Sequence, residues 1–281
     1  MTFSAPRSFL AAAGSVTGRA HRRAERDGQD GHAIVETDDL VAAVVTDGCS
    51  SGRASEIGAR LGAAWIATLV EKHFRGCGSG AGDGIALARA AAVEVCRDLV
   101  VRLELLARSL DPDGTIRAAR VDEALLFGFL AAVVTPEAAI VFGIGDGIVL
   151  ADGLVTVLDP GPDNAPPYAA YALLGAELEP RVHFASAPDR VDVIAIATDG
   201  LAPLAPLAPL APLAPLAPLA RVAHAHAHAH APIPSLTALA ADPRYEKNPS
   251  LLRKRLVVLS DRGLFDDDAT LAVVRRRSAA S

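Results

Sequence analysis

Aromatic residues make up only 4% of this 281-residue chain, and it has one Trp, one Met and three Cys. A core poor in rings must be filled by Ala, Val, Leu and Ile, and the 51% hydrophobic content supplies them. Cys49, Cys77 and Cys96 stand at unrelated spacings without a CxxC pair. That excludes a disulfide framework and a zinc site and fits a reducing cytoplasm. No segment reaches the ~18 uninterrupted apolar residues of a membrane span, and the apolar patch in MTFSAPRSFLAAAGSVTGRAHRR is too short for a secretory signal. Net charge is −6, no long basic patch precedes Arg275-Arg276-Arg277, and that run reads as a solvated chain end. Nucleic-acid and membrane binding are therefore not expected.

HAIVET (32–37) and LVAAVVTD (40–47) read as an antiparallel pair of strands. From Ser55 the period changes to 3.6 residues, with Ile57, Leu61, Ala64, Trp65, Thr68 and Leu69 on the predicted apolar face and Glu56 suited to a helix start. GCGSGAGDG (76–84) lacks the Gly-Lys-Ser/Thr ending of a phosphate loop and reads as a connection between helices. A second helix is predicted over Ile85–Leu110, its faces set by Val95, Leu99, Arg102, Leu103 and Leu106. From Glu123 the strands ALLFGFLAAVV, AIVFGIG, IVLA and LVTVL follow one another closely enough to predict one antiparallel meander. RVHFA (181–185), VDVIAIAT (191–198) and ATLAVVRR (269–276) add strands, and PSLLRKRLVVLS (249–260) adds a helix. This order predicts helices packed outside two antiparallel sheets.

Residues 201–220 repeat Leu-Ala-Pro six times and residues 223–231 alternate Ala and His. Proline at every third position forbids a helix or a central strand. In polyproline II the leucines would form one ridge, but expansion of a repeat in a surface loop is the simpler reading. His224, His226, His228 and His230 would share a face of an extended chain, yet an alternating tract offers no fixed ligand geometry.

Asp-Gly occurs eight times. Asp27-Gly28, Asp83-Gly84 and Asp113-Gly114 lie in polar surroundings, and Asp152-Gly153 sits between IVLA and LVTVL, so these four read as turns. Asp47 and Asp199 differ, since each follows a continuous apolar run and a threonine. A strand buried on both faces brings its last residue to the rim of a core, where an ionised carboxylate needs a cation or several donors. Gln29-Asp30 and Asp266-Asp267-Asp268-Ala269-Thr270 complete a set of oxygen ligands that suits Mg²⁺ or Mn²⁺. Such carboxylates can hold two ions about 3.5–4 Å apart, as in two-metal phosphate chemistry.

With these residues in view the chain resembles the protein phosphatase 2C family, the metal-dependent PPM-type serine/threonine phosphatases. The matching blocks stand in family order: QD, VVTDG with the SEIGARL helix, a GDG block, IATDGL and DDAT. TDGCSSGRASEIGARL and FGIGDG are most similar to a divergent bacterial branch. The resemblance implies an α+β fold, a four-layer α/β/β/α sandwich over residues 12–275 with 201–231 as a low-complexity insertion. It further implies two Mn²⁺ or Mg²⁺ ions. Asp47 bridges both, the carbonyl of Gly48 completes one, Asp199 and Asp267 ligate the other, and Asp268 stands beside it. Asp30 lies close to the first ion through water. Asp146 falls where some members bind a third, weaker ion. Asp47 and Asp199 are then the catalytic carboxylates, acting through water whose pKa falls from about 15.7 towards ~7. That water attacks a phosphoserine or phosphothreonine protein directly. The phosphate-binding arginine should precede Asp30, and Arg22, Arg23 and Arg26 are its candidates.

Two departures stand out. Many members read Asp-Gly-His-Gly-Gly where this chain has Asp47-Gly48-Cys49-Ser50-Ser51, and Gln29 replaces the usual glutamate. A catalytically inactive member of the fold, kept for binding or regulation, is the alternative. Against it, the retained carboxylates would repel one another without cations. The Asp-x-Asp-x-Thr pattern at Asp266 also matches a haloacid-dehalogenase nucleophile, but that motif belongs after a first strand, and here only 11 residues follow Thr270.

Overall fold

The computed structural model describes residues 8–75, 83–161, 166–205 and 232–278. The Ala-His tract, most of the Leu-Ala-Pro repeat and the glycine-rich 76–82 lie outside the described residues. In chain order the elements are β1 (Phe9–Val16), α1 (Arg19–Arg23), β2 (Gly31–Glu36), β3 (Val41–Gly48), α2 (Ser55–Phe74), α3 (Gly84–Leu110) and α4 (Arg117–Ala124). They continue with β4 (Phe127–Val134), β5 (Ala139–Ile144), β6 (Gly147–Ala151), β7 (Leu154–Leu158), β8 (Arg181–Ser186) and β9 (Val193–Ala197). Last come α5 (Leu236–Ala240), α6 (Leu251–Asp261) and β10 (Ala269–Arg276).

Successive strand side chains point to opposite faces, and both faces of the central strands are apolar. In β3 and β4, Val41, Ala43, Val45, Leu130 and Ala132 meet the other sheet, together with Ile194, Ile196, Ala272 and Val274. The alternate residues Ala42, Val44, Phe129 and Ala131 pack under α2, α3 and α4. The second sheet repeats this scheme, with Leu271 and Val273 packing beneath Leu252, Leu256 and Leu259 of α6. The result is the four-layer α/β/β/α sandwich. Its sheets are antiparallel, ordered β1-β10-β9-β6-β7 and β2-β3-β4-β5-β8.

Four expectations are corrected. The strands after Glu123 do not form one meander: β4 and β5 belong to one sheet, β6 and β7 to the other. The chain changes sheets at Gly145-Asp146-Gly147, where both glycines have positive φ, +111° and +126°, conformations that side-chain-bearing residues rarely adopt. The segment 9–16, read only as an apolar patch, is edge strand β1, paired with β10 from Phe9↔Arg276 to Val16↔Ala269. On α2 two of the large apolar residues chosen by period face outwards, Ile57 at 46% and Leu61 at 37% exposed, whereas Leu69 is buried and Trp65 packs against the core. The buried face carries Gly58, Ala59, Gly62 and Ala63, because the helix lies so close to Phe127 that a Cβ on Gly62 would come within 2.3 Å of its ring. Finally, Leu201 and Leu204, assigned to the insertion, are buried beside β10 and β6 in a short 3₁₀ turn over Asp199–Leu204. α4 and α5 were not foreseen, since each is short and α4 is largely polar.

Candidate metal centre

Register brings the acidic residues together. β3 ends at Asp47-Gly48, with Thr46 opposite Gly31, the residue after Asp30. β9 ends beside the start of β10, where the Thr198 N–H donates to the Thr270 carbonyl at 3.1 Å. Asp199 therefore follows β9 at the level where Asp267 and Asp268 precede β10. β6 begins opposite Ala197 through Ile148, so Asp146 arrives at the same end of the sandwich. The threonines before two of these aspartates fix the backbone. Thr46 Oγ1 donates to the Ala59 carbonyl at 2.9 Å, and Thr198 Oγ1 donates to Asp30 Oδ2 at 2.9 Å while accepting from Thr270 N–H at 3.0 Å. Gly200 permits the closest approach: a Cβ there would lie 1.9 Å from the carbonyl oxygen of Asp268.

Asp47, Gly48, Asp146, Asp199, Asp267 and Asp268 line one pocket of about 90 Å³, together with Gln29, Cys49, Tyr168 and His21. Asp30 is buried behind them, and its Oδ1 has no partner among the described residues. Burial raises the pKa of Asp47 well above the usual carboxylate range, and the charges of Asp30, Asp199, Asp146 and Asp267 raise it further. Asp30 is also raised well, by burial first, against hydrogen bonds from Thr270 and Thr198 that lower it. Asp199 is raised by burial and by the charge of Asp267, an effect that the neighbouring Asp47 carboxyl and the Gly200 backbone partly offset. Burial and the charge of Asp199 raise Asp146. Carboxyls that must hold protons to coexist are the complement of divalent cations, so the residues present fit the ions that the sequence implies.

Asp268 is nearly inaccessible and already engaged. Its Oδ1 accepts from Gly18 N–H at 2.7 Å, and its Oδ2 accepts from Gln29 N–H and lies 2.9 Å from His21 Nδ1. His21, missed from the sequence, is buried on α1, and its ring nitrogen lies 4.0 Å from Asp267 Oδ1. It offers a ligand atom within 4.8 Å of those of Asp267 and Asp268. A histidine in the basic segment GRAHRR gave no periodic signal. The Gln29 amide donates to the carbonyls of Cys49 and Gly52 at 3.2 and 3.1 Å and so braces the loop behind Asp47. Burial pushes the Cys49 thiol up, but hydrogen bonds with Ser51, Tyr168 and the backbone outweigh it and leave its pKa below the ordinary value.

The three arginine candidates separate. Arg26 reaches the same loop, donating to the Gly52 carbonyl at 2.8 Å. Arg22 turns away to Ser260 Oγ at 3.1 Å, and Arg23 is exposed on α1.

Two apposed antiparallel sheets with helices outside carry at one end a buried acidic pocket whose carboxyls suit divalent cations. The protein phosphatase 2C family profile matches residues 17–237. The chain belongs to that family and is a metal-dependent protein phosphatase, in a family that generally uses Mn²⁺ or Mg²⁺. Solved structures share the fold. The serine/threonine phosphatase Stp1 from Staphylococcus aureus superposes with a TM-score of 0.55 at 11% identity, covering 96% of each chain. The serine-threonine phosphatase 2C from Toxoplasma gondii gives 0.59 at 13%, covering 96% of this chain and 95% of that one. A bacterial serine phosphatase gives 0.53 at 12%, covering 97% of this chain and 100% of that one. A search among curated proteins gives no match. Among the described residues no helix is long and apolar enough to cross a membrane.

Proposed function

We propose that the chain is a bacterial-type phosphatase of cytoplasmic phosphoserine and phosphothreonine proteins, with two Mn²⁺ or Mg²⁺ ions held by Asp47, the Gly48 carbonyl, Asp199 and Asp267. Asp146 is the station for a third, weaker ion. Asp30 supports the first ion from behind. Asp268, whose oxygens already receive three partners, holds the loop and orients His21 beside the ions. The observation that carries this reading is the convergence of carboxyls from distant segments on one pocket, with the proton affinities of Asp47, Asp146 and Asp199 raised by burial and by neighbouring carboxylates.

Bound divalent ions supply Lewis acidity, which makes water nucleophilic near neutral pH and offsets phosphoryl charge. The chain's own residues do the rest. Arg26, tethered to the Asp47–Gly52 loop, binds the substrate phosphate through its planar fork of donors. Gln29 keeps that loop in place. Cys49 takes the position of the family's histidine, and no protein nucleophile is needed. The test is hydrolysis of phosphopeptides and an aryl phosphate with and without Mn²⁺, beside Asp47→Ala and Asp199→Ala. Equal turnover by all three proteins sinks the assignment, and stabilisation by Mn²⁺ without turnover in the wild type would favour the binding module.

A further inference from the structure

A second cavity, of about 520 Å³, opens at the same end of the sandwich. It lies where the edge strands β1 and β2 face each other, between α2 and α6. Arg22, Arg60 and Arg253 line it, from α1, α2 and α6 respectively. Two of these guanidinium groups are held by neutral acceptors: Arg22 by Ser260 Oγ at 3.1 Å and Arg60 by the Gly28 carbonyl at 2.9 Å. The nearest carboxylate to Arg60 is Asp27, 3.9 Å away with its side chain 78% exposed, a geometry in which pairing is weak. Arg253 makes no ion pair among the described residues. Of the acids on the cavity wall, Asp30 is buried and bonded to Thr198, so Asp261 alone is exposed against three guanidinium groups. In a protein with net charge −6 this is a local excess of positive charge, two of whose three guanidinium groups are held in place by neutral acceptors. Gly28 lines this cavity and its chain neighbour Gln29 lines the carboxylate pocket, so the two openings meet along this short segment.

We propose that this cleft is a subsite for a second anionic group of the substrate, a carboxylate or phosphate carried a few residues from the phosphate to be cleaved. The proposal rests on the phosphatase reading and narrows it to substrates with acidic or doubly phosphorylated segments. Planar guanidinium forks match both oxyanions.

The test compares Mn²⁺-loaded full-length protein with an Arg60→Ala/Arg253→Ala variant. The substrates are an aryl phosphate and three phosphoserine peptides that carry Ala, Glu or a second phosphoserine at positions +2 to +5. The variant should raise KM about 10-fold for the peptides with a second charge, leaving the Ala peptide and the aryl phosphate unchanged. The larger effect, with Glu or phosphoserine, identifies the preferred oxyanion. Equal effects on every substrate, or none on any, overturn the proposal. Fluorescence anisotropy with non-hydrolysable phosphonate peptides separates this from failure of the phosphatase reading. Arg-dependent binding without turnover anywhere would retain the cleft and remove the activity, whereas turnover with no Arg-dependence would do the reverse.

Discussion

Asp47→Asn keeps the shape of the side chain and removes its charge, so it isolates the electrostatic cost of the cage. Without cations the Asp47 carboxyl is buried and feels the charges of Asp30, Asp199, Asp146 and Asp267. Two unit charges ~4 Å apart repel by ~4 kcal/mol at an effective dielectric constant of ~20. The wild type relieves most of this by retaining protons, so the amide should recover only part, about 1–2 kcal/mol near pH 7.5. For a domain of this size that raises Tm by about 2–8 °C. Thermal unfolding in EDTA and in excess Mn²⁺ reads both sides. The variant should melt higher than wild type in EDTA, gain less from Mn²⁺, and lose phosphopeptide turnover. A lower Tm in EDTA, or an undiminished gain from Mn²⁺, would refute the reasoning.

Four further outcomes are expected. The folded-state pKa values of Asp30, Asp47, Asp146 and Asp199 lie above their unfolded values, so the metal-free fold binds more protons than the unfolded chain and loses stability as pH rises from the carboxylate range through those raised values. Melting across pH 4.5–8 in EDTA should show that fall, and the gain from Mn²⁺ should grow with pH; a flat profile contradicts the cage. Gly200→Ala drives a methyl into the Asp268 carbonyl, 1.9 Å away, and should cost about 1–3 kcal/mol in urea unfolding together with weakened Mn²⁺ binding. His21→Ala should weaken Mn²⁺ binding about 10-fold by calorimetry, and unchanged affinity would leave His21 a packing residue. Leu204→Ala should cost about 2–5 kcal/mol, measured by urea unfolding, whereas a substitution without effect would return Leu204 to the surface repeat.

Much of the fold was legible because binary pattern and buried β-branched runs are local signals. β3 and β9 announce themselves as apolar runs that end in Thr-Asp-Gly, and their aspartates were found for that reason. β1 was missed because FLAAAGSV is rich in Ala and Gly, and only its pairing with β10 makes it a strand. The first turns of α2 were misread because close packing against Phe127 selects small residues for the inner side there, whereas further on Ile66, Leu69, Val70 and Phe74 follow the usual guide. The single meander failed at Gly145-Asp146-Gly147, where turn chemistry looks the same whether the chain stays in its sheet or crosses to the other. At the site the carboxyls were readable as motif residues, while His21 and Tyr168 were not, since their place depends on contacts with Asp268 and Cys49 far along the chain. Among the arginines sequence order left three candidates, and their different hydrogen bonds, Arg26 to the Gly52 carbonyl and Arg22 to Ser260, depend on contacts that order does not show.

The pairing of β1 with β10 sets a timetable for synthesis. Strand β1 cannot find its neighbour until residues 269–276 have left the ribosome, at about 5–20 residues per second, and Asp267 and Asp268 emerge only just before that neighbour. A nascent chain that stops short of Asp267 therefore has one incomplete sheet and lacks two carboxyls of the pocket, so it should be inert towards phosphoproteins until β10 has emerged.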